Sequence, residues 1–219
     1  MSTKTPIKPL IWIVCPETLA LHGYSIHDVP ATFSELSEQD QDQIMLLYRN
    51  KTAPQKEAFK SLKWLTNELQ TPQKDLMTYG QPDWVHQLNL AGLHLPDQTH
   101  IKSARTILGS NYLLGISRHA DTYTNREGHE GADYIFMSPI FQPLSKTMQQ
   151  PQITQIKLTE LCTSSKLPII SLGGINTDNL SLVRQAGSKG AAFIGSVFQT
   201  SNLRQQLENL CTSWRKASG

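Results

Sequence analysis

Residues 167–176, L-P-I-I-S-L-G-G-I-N, end an apolar run on a glycine pair, Gly173 and Gly174. Glycine loses more conformational freedom on folding than any other residue. A pair at one point therefore marks a tight turn, or a backbone that must come close to something. Main-chain N–H groups where a strand gives way to a helix form a ready anion site, so the chemical alternative to a turn is phosphate binding. A second small-residue junction, F-I-G-S-V-F at 193–198, carries Gly195 and Ser196. If the topology sets the two junctions side by side, Gly173, Gly174, Gly195 and Ser196 offer N–H donors to one phosphate, with the Ser196 hydroxyl as an extra.

Acid–base chemistry falls to the seven histidines. Free imidazole titrates at about 6.5, so it takes and gives a proton near neutral pH. His119 follows Ser117 by two residues in L-L-G-I-S-R-H, and alternation along a strand sends both side chains to one face and Arg118 to the other. Spacing alone leaves His119 open between a catalytic group and a loop residue. His94, in G-L-H-L, reads as a satisfied core histidine, and His22, His27, His86, His100 and His129 read as surface residues. Arg49, Lys51 and Lys146 stand at strand ends, where they are either solvated charges or, gathered at one mouth, cations for an anionic ligand.

The elements that must position these residues are short β-favouring runs at 10–14, 44–48, 75–79, 92–95, 112–117, 133–138, 168–172 and 191–195. Helical periodicity separates them at 55–69, 154–162, 179–186 and 203–214. Alternation of strand and helix requires crossovers and a parallel sheet. Eight such units in one chain predict an α/β fold, a single (β/α)8 TIM barrel over residues 1–219, with its chemistry at the C-terminal strand ends. That fold brings the ends of strands seven and eight together, where phosphate sites are commonly built. The rival, an open doubly wound sheet, often carries a glycine fingerprint after its first strand, and this chain has none. The first connection, 16–43, is long and polar, with only S-E-L-S-E-Q-D-Q reading as helical. Thr177 or Asp178 and Ser201 read as helix starts, and Gly187 as a helix stop.

Lys plus Arg number 20 against 18 Asp plus Glu, a formal charge of +2, without the basic bias of a dedicated nucleic-acid binder. The apolar run 10–14 soon meets Pro16 and Glu17, too short for a membrane span or a secretory core. The expectation is a soluble cytoplasmic protein with neither nucleic-acid nor membrane partners; a homo-oligomer is left open. Cys15, Cys162 and Cys211 have no paired spacing and read as buried free thiols.

The stretches G-L-H-L-P, L-L-G-I-S-R-H, G-A-D-Y-I-F-M-S-P-I-F, and P-I-I-S-L-G-G-I-N followed by G-A-A-F-I-G-S-V-F resemble the ordered signature of the thiamine phosphate synthase and thiazole tautomerase (TenI) family, over roughly residues 8–200. The resemblance implies a (β/α)8 barrel that binds a phosphorylated thiazole. For a synthase it implies joining hydroxymethylpyrimidine diphosphate to the thiazole phosphate, with magnesium holding the pyrophosphate. This chain departs from that pattern. L-Y-R-N-K at 47–51 keeps Arg49 and Lys51 of Gln-Leu-Arg-x-Lys but has Leu47 for the glutamine. The Asn-Asp after the third strand falls on Tyr79 and Gly80, and the aspartate ending Gly-x-His-Leu-Gly-x-x-Asp falls on Thr99, with Asp97 two residues away. Pro-Thr-x-Thr-Lys becomes P-L-S-K, leaving Ser145 and Lys146. Magnesium in phosphate sites relies on one or two carboxylates. Losing both implies no protein metal site and favours the tautomerase, whose metal-independent proton transfer needs an acid–base group and a phosphate anchor. His119 matches the family's histidine in G-x-S-x-H and is the proton shuttle on that reading; Arg49, Lys51, Ser117 and Lys146 bind substrate. A divergent, magnesium-dependent synthase and a non-catalytic thiazole phosphate or thiamine phosphate binder are the alternatives.

Overall fold

A computed structural model describes residues 6–69, 75–97, 99–128, 130–142 and 152–217. Eight strands pair in parallel and in chain order: β1 Leu10–Val14, β2 Ile44–Tyr48, β3 Leu76–Tyr79, β4 Gly92–Leu95, β5 Leu113–Arg118, β6 Tyr134–Met137, β7 Ile169–Leu172 and β8 Gly190–Phe193. Strand β1 pairs with both β2 and β8, which closes the barrel. Closure buries both strand faces, which explains near-continuous apolar runs such as L-I-W-I-V and I-M-L-L-Y. Ile11, Ile13, Met45, Leu47, Met77, Leu113, Phe136, Ile170 and Ala192 fill the lumen. Their neighbours, among them Trp12, Leu46, Leu114 and Ile135, pack outward against the helices.

Helices α4 (Gln55–Glu68), α7 (Gln155–Ser164), α8 (Leu180–Gln185) and α9 (Leu203–Lys216) lie where periodicity placed them. Helices α5 (Pro82–Leu88) and α6 (Ile101–Leu108) complete the outer ring with them. The first connection corrects the sequence expectation. It holds α1 (Pro16–Leu21), α2 (Asp28–Ser34) and α3 (Glu38–Gln41), and only α3 lies wholly within the expected segment. Pro16 at the first position and Glu17 in the first turn start α1, which buries only Leu19. Helix α2 buries Val29 and Phe33, four residues apart. Helices burying one or two residues each leave little periodicity to read.

Two helix starts also shift. Asn179 takes the cap position of α8, and the Asn176 side chain accepts from the N–H groups of Asp178 and Asn179 at 2.9 and 3.2 Å. Asn202, not Ser201, caps α9 by accepting from the Gln205 N–H at 3.0 Å. Gly187 ends α8 at φ 93°, a left-handed stop. All three thiols are free; Cys15 and Cys211 are buried, while Cys162 is only partly so. Among the described residues, no helix is long and apolar enough to cross a membrane.

Candidate active site

In the lumen, Tyr79, His94, Gly115 and Tyr134 are successive register partners across β3 to β6. A Cβ on Gly115 would collide with the Tyr134 ring. The missing side chain lets the phenol reach across β5 to His94 Nδ1, at 3.0 Å. Ser117, two residues further along the same face of β5, meets His94 Nε2 at 3.0 Å. The imidazole lies 3.9 Å from the Phe136 ring centroid and 6.1 Å from that of Tyr79. Burial, aided by the positive charge of Arg49, lowers the His94 pKa to about 3, so this ring is neutral near pH 7. His94 is thus the satisfied core histidine expected, with Ser117 as one of its two partners.

Arg49 and Lys51 flank Tyr79, the guanidinium carbon 5.4 Å and the ammonium nitrogen 5.1 Å from its ring centroid. Each is within cation–π range. Arg49 also donates to the Cys15 sulfur at 3.4 Å, while burial pushes that thiol's pKa up against the arginine's pull. Side-chain contacts therefore link Arg49, Lys51 and Ser117 through Tyr79 and His94. Lys146 and Ser145 lie outside the described residues, as does His129.

His119 lies one residue beyond the strand that was expected to orient it. Strand β5 ends at Arg118, and the His119 carbonyl accepts from the N–H groups of Thr122 and Tyr123 at 3.1 and 3.0 Å, which turns the chain. The ring hydrogen-bonds through Nδ1 to the Ser138 carbonyl at 2.7 Å, beside the end of β6. Period-two alternation lasts only as long as the strand. A carbonyl only accepts, so Nδ1 carries the hydrogen and neutral His119 has its lone pair on Nε2. Arg118 points away from the lumen as expected, donating to Glu127 and to Asp97, each at 3.0 Å. Asp97 also accepts from the Thr122 hydroxyl at 3.2 Å. Glu127 is 1% exposed. Burial works to raise its pKa, but hydrogen bonds from backbone N–H groups and Arg118 outweigh it and hold the carboxyl below its ordinary range. This network ties the turn carrying His119 to the outside of β5.

On the opposite rim, Gly173 and Gly174 have φ values of 105° and 61°. The Gly173 carbonyl accepts from the Phe141 N–H at 2.9 Å. A Cβ on Gly174 would lie 2.5 Å from the Gln142 carbonyl oxygen and 2.8 Å from the Phe141 carbonyl carbon. The pair is therefore a turn that lets residues 139–142 pack against it, which gives it a structural task whether or not phosphate binds nearby. Gly195 differs. It opens a 3-10 turn, Gly195–Phe198, whose first N–H groups have no partner inside the turn. A Cβ on Gly195 would meet nothing within 4 Å. Ser196 is buried, its carbonyl held by the Gln206 side-chain amide at 3.2 Å.

The model of the thiamine monophosphate synthase family matches residues 31–197. The chain belongs to this family. A thiamine-phosphate synthase of Syntrophomonas wolfei is 29% identical over 174 residues, 78% of this chain and 83% of that protein. One of Prochlorococcus marinus is 31% identical over 157 residues, 71% of this chain but 44% of the relative. The fold matches a thiamine phosphate pyrophosphorylase of Pyrococcus furiosus with a TM-score of 0.74 at 23% identity, covering 96% of this chain and 97% of that one.

Among the described residues, the positions expected to hold magnesium do not form a carboxylate site. The two positions expected to supply carboxylates hold Tyr79–Gly80 and Thr99, and Asp97 is committed to Arg118 and Thr122. Among the described residues, no group of three or more His, Cys, Asp or Glu could hold a metal ion. Sequence reasoning named neither Tyr134 nor Glu127 as part of the site. Gly115, at a lumen position of β5, was the available signal for Tyr134, since glycine inside a strand marks a close approach.

Proposed function

We propose that this barrel binds a thiazole phosphate and joins it to hydroxymethylpyrimidine diphosphate, the chemistry of a thiamine phosphate synthase. In that reaction the thiazole nitrogen forms a bond to the pyrimidine methylene carbon, and the carbon–oxygen bond to pyrophosphate breaks with its electron pair leaving on oxygen. The shared family carries this reading, and the cation pair around Tyr79 supports it. Arg49 and Lys51 meet the diphosphate charge, Ser117 orients a ring, and backbone N–H groups at Gly173–Gly174 and Gly195–Ser196 take the thiazole phosphate. Lys146, outside the described residues, keeps its expected role in binding substrate on this reading. No step is assigned to a metal.

A second reading is favoured by the commitment of Asp97 to Arg118. With Tyr79–Gly80 and Thr99 where the synthase pattern has its carboxylates, metal-independent proton transfer on a thiazole carboxylate phosphate suits the same anchor, with Nε2 of His119 as the proton shuttle. On the third alternative, the barrel binds thiazole phosphate or thiamine phosphate without turnover. Incubation with each thiazole phosphate isomer, with and without the pyrimidine diphosphate and magnesium, separates the three. Thiamine phosphate and pyrophosphate support the synthase. Interconversion of isomers in chelator supports the tautomerase, and ligand binding without any product supports the binding-only barrel.

A further inference from the structure

We infer that Tyr134 and His94 form a buried relay whose direction makes the Ser117 hydroxyl a hydrogen-bond donor to the bound ligand, so that Ser117 selects an acceptor atom such as a carboxylate oxygen or an unprotonated ring nitrogen. The ligand part of this inference rests on the function proposed above; the direction of the relay does not.

The argument follows the hydrogens. The Tyr134 hydroxyl has two acceptors within reach, His94 Nδ1 at 3.0 Å and the Met77 sulfur at 3.8 Å. A thioether is a weak acceptor and an imidazole nitrogen a strong one, so the phenol donates to Nδ1. With Nδ1 accepting, neutral His94 carries its hydrogen on Nε2. That hydrogen points at the Ser117 oxygen, 3.0 Å away. Ser117 accepts there, and its own hydrogen is free to turn toward the mouth. Reversal of the relay would turn the serine hydrogen onto Nε2 and leave only oxygen lone pairs for the ligand.

Two further observations show that the relay is built into the lumen. Gly115 clears the path of the Tyr134 ring, since any Cβ there would strike it. Both relay partners also hold one protonation state: burial pushes the Tyr134 pKa well above its ordinary value and lowers that of His94 to about 3.

Long-range nitrogen–proton NMR of the labelled protein at neutral pH reads the His94 tautomer directly. The relay predicts the Nε2–H form; the Nδ1–H form or an imidazolium would overturn it, whether or not any thiazole binds. The second arm is a double-mutant cycle, read as affinity for the carboxylated thiazole phosphate. Tyr134→Phe keeps the ring that fills the lumen and should weaken binding roughly 3–10-fold, and Ser117→Ala about 10-fold. The double variant should bind no worse than Ser117→Ala alone, because Tyr134 acts through Ser117. Multiplicative losses would overturn the positioning role. If the parent binds no thiazole, the function proposed above fails, and the tautomer still decides the relay.

Discussion

The two rims of the barrel mouth are built from different materials. From β2 to β6 it is made of side chains: Arg49 and Lys51 around Tyr79, and Ser117 hydrogen-bonded to the buried His94, which in turn meets Tyr134 deeper in the lumen. At the ends of β7 and β8 it is made of backbone, with glycines whose task is to present main chain or let it pass. The first rim departs from the synthase pattern at Leu47, Tyr79 and Thr99, whereas the second keeps its small residues in place. Side-chain chemistry can change one residue at a time. The Gly173–Gly174 turn, by contrast, is fixed by the backbone of residues 139–142 packed against it.

That contrast is tested most severely at Gly174. Valine there would meet both a left-handed φ and a Cβ 2.5 Å from the Gln142 oxygen. Gly174→Val should lower the unfolding free energy by about 3–5 kcal/mol, measured by urea titration. Unchanged stability would show that residues 139–142 are not packed as described. This also corrects a natural first choice of probe: Gly174 cannot report on phosphate binding alone.

The side-chain rim should instead show itself in the pH dependence of stability. His94 is protonated in the unfolded chain below pH about 6.5 but resists protonation in the fold until pH about 3. Between those values the unfolded state binds more protons, so stability rises with pH and is lost on acidification. The loss should reach on the order of 2–4 kcal/mol, and His94→Gln should flatten that part of the profile. A parent profile flat from pH 6.5 down to 4 would mean that His94 is not buried in its neutral form.

A smaller effect is expected outside the lumen. The Glu127 carboxyl is held below its ordinary range, so its stabilisation is present above the ordinary glutamate pKa and is lost as pH falls through the folded value. Glu127→Gln should cost about 1–3 kcal/mol at neutral pH and remove that acid-side component, measured by thermal unfolding across pH. Loss of the pin that holds the His119 turn should also slow turnover without altering phosphate affinity. Weakened phosphate binding would instead couple the two rims.

The sequence exposed the strands because burial on both faces leaves dense apolar runs, and the barrel because strand and helix alternate without a linker. It also exposed the glycine junctions, where missing side chains are themselves the signal. It did not expose α1 and α2, which bury too few residues to make a period. Nor did it expose the turn that carries His119, since no spacing rule says at which residue a strand will turn; Thr122, which supplies the turn's hydrogen bonds, lies three residues on. The reach of Tyr134 to His94 spans forty residues and depends on closure, although Gly115 marks the gap it crosses.

The central claim is that backbone at the β7–β8 rim holds the substrate's phosphate, and Gly195 offers the cleanest test because a side chain there meets open space. Gly195→Val should unfold as cooperatively as the parent in a thermal melt, and calorimetric titration then reads its affinity for thiazole phosphate and for the same thiazole lacking its phosphate. Phosphate-ester affinity should fall roughly 10–100-fold, with weak and unchanged affinity for the free alcohol. Equal affinity of parent and variant for the thiazole phosphate would contradict the claim and leave the glycines as turns alone.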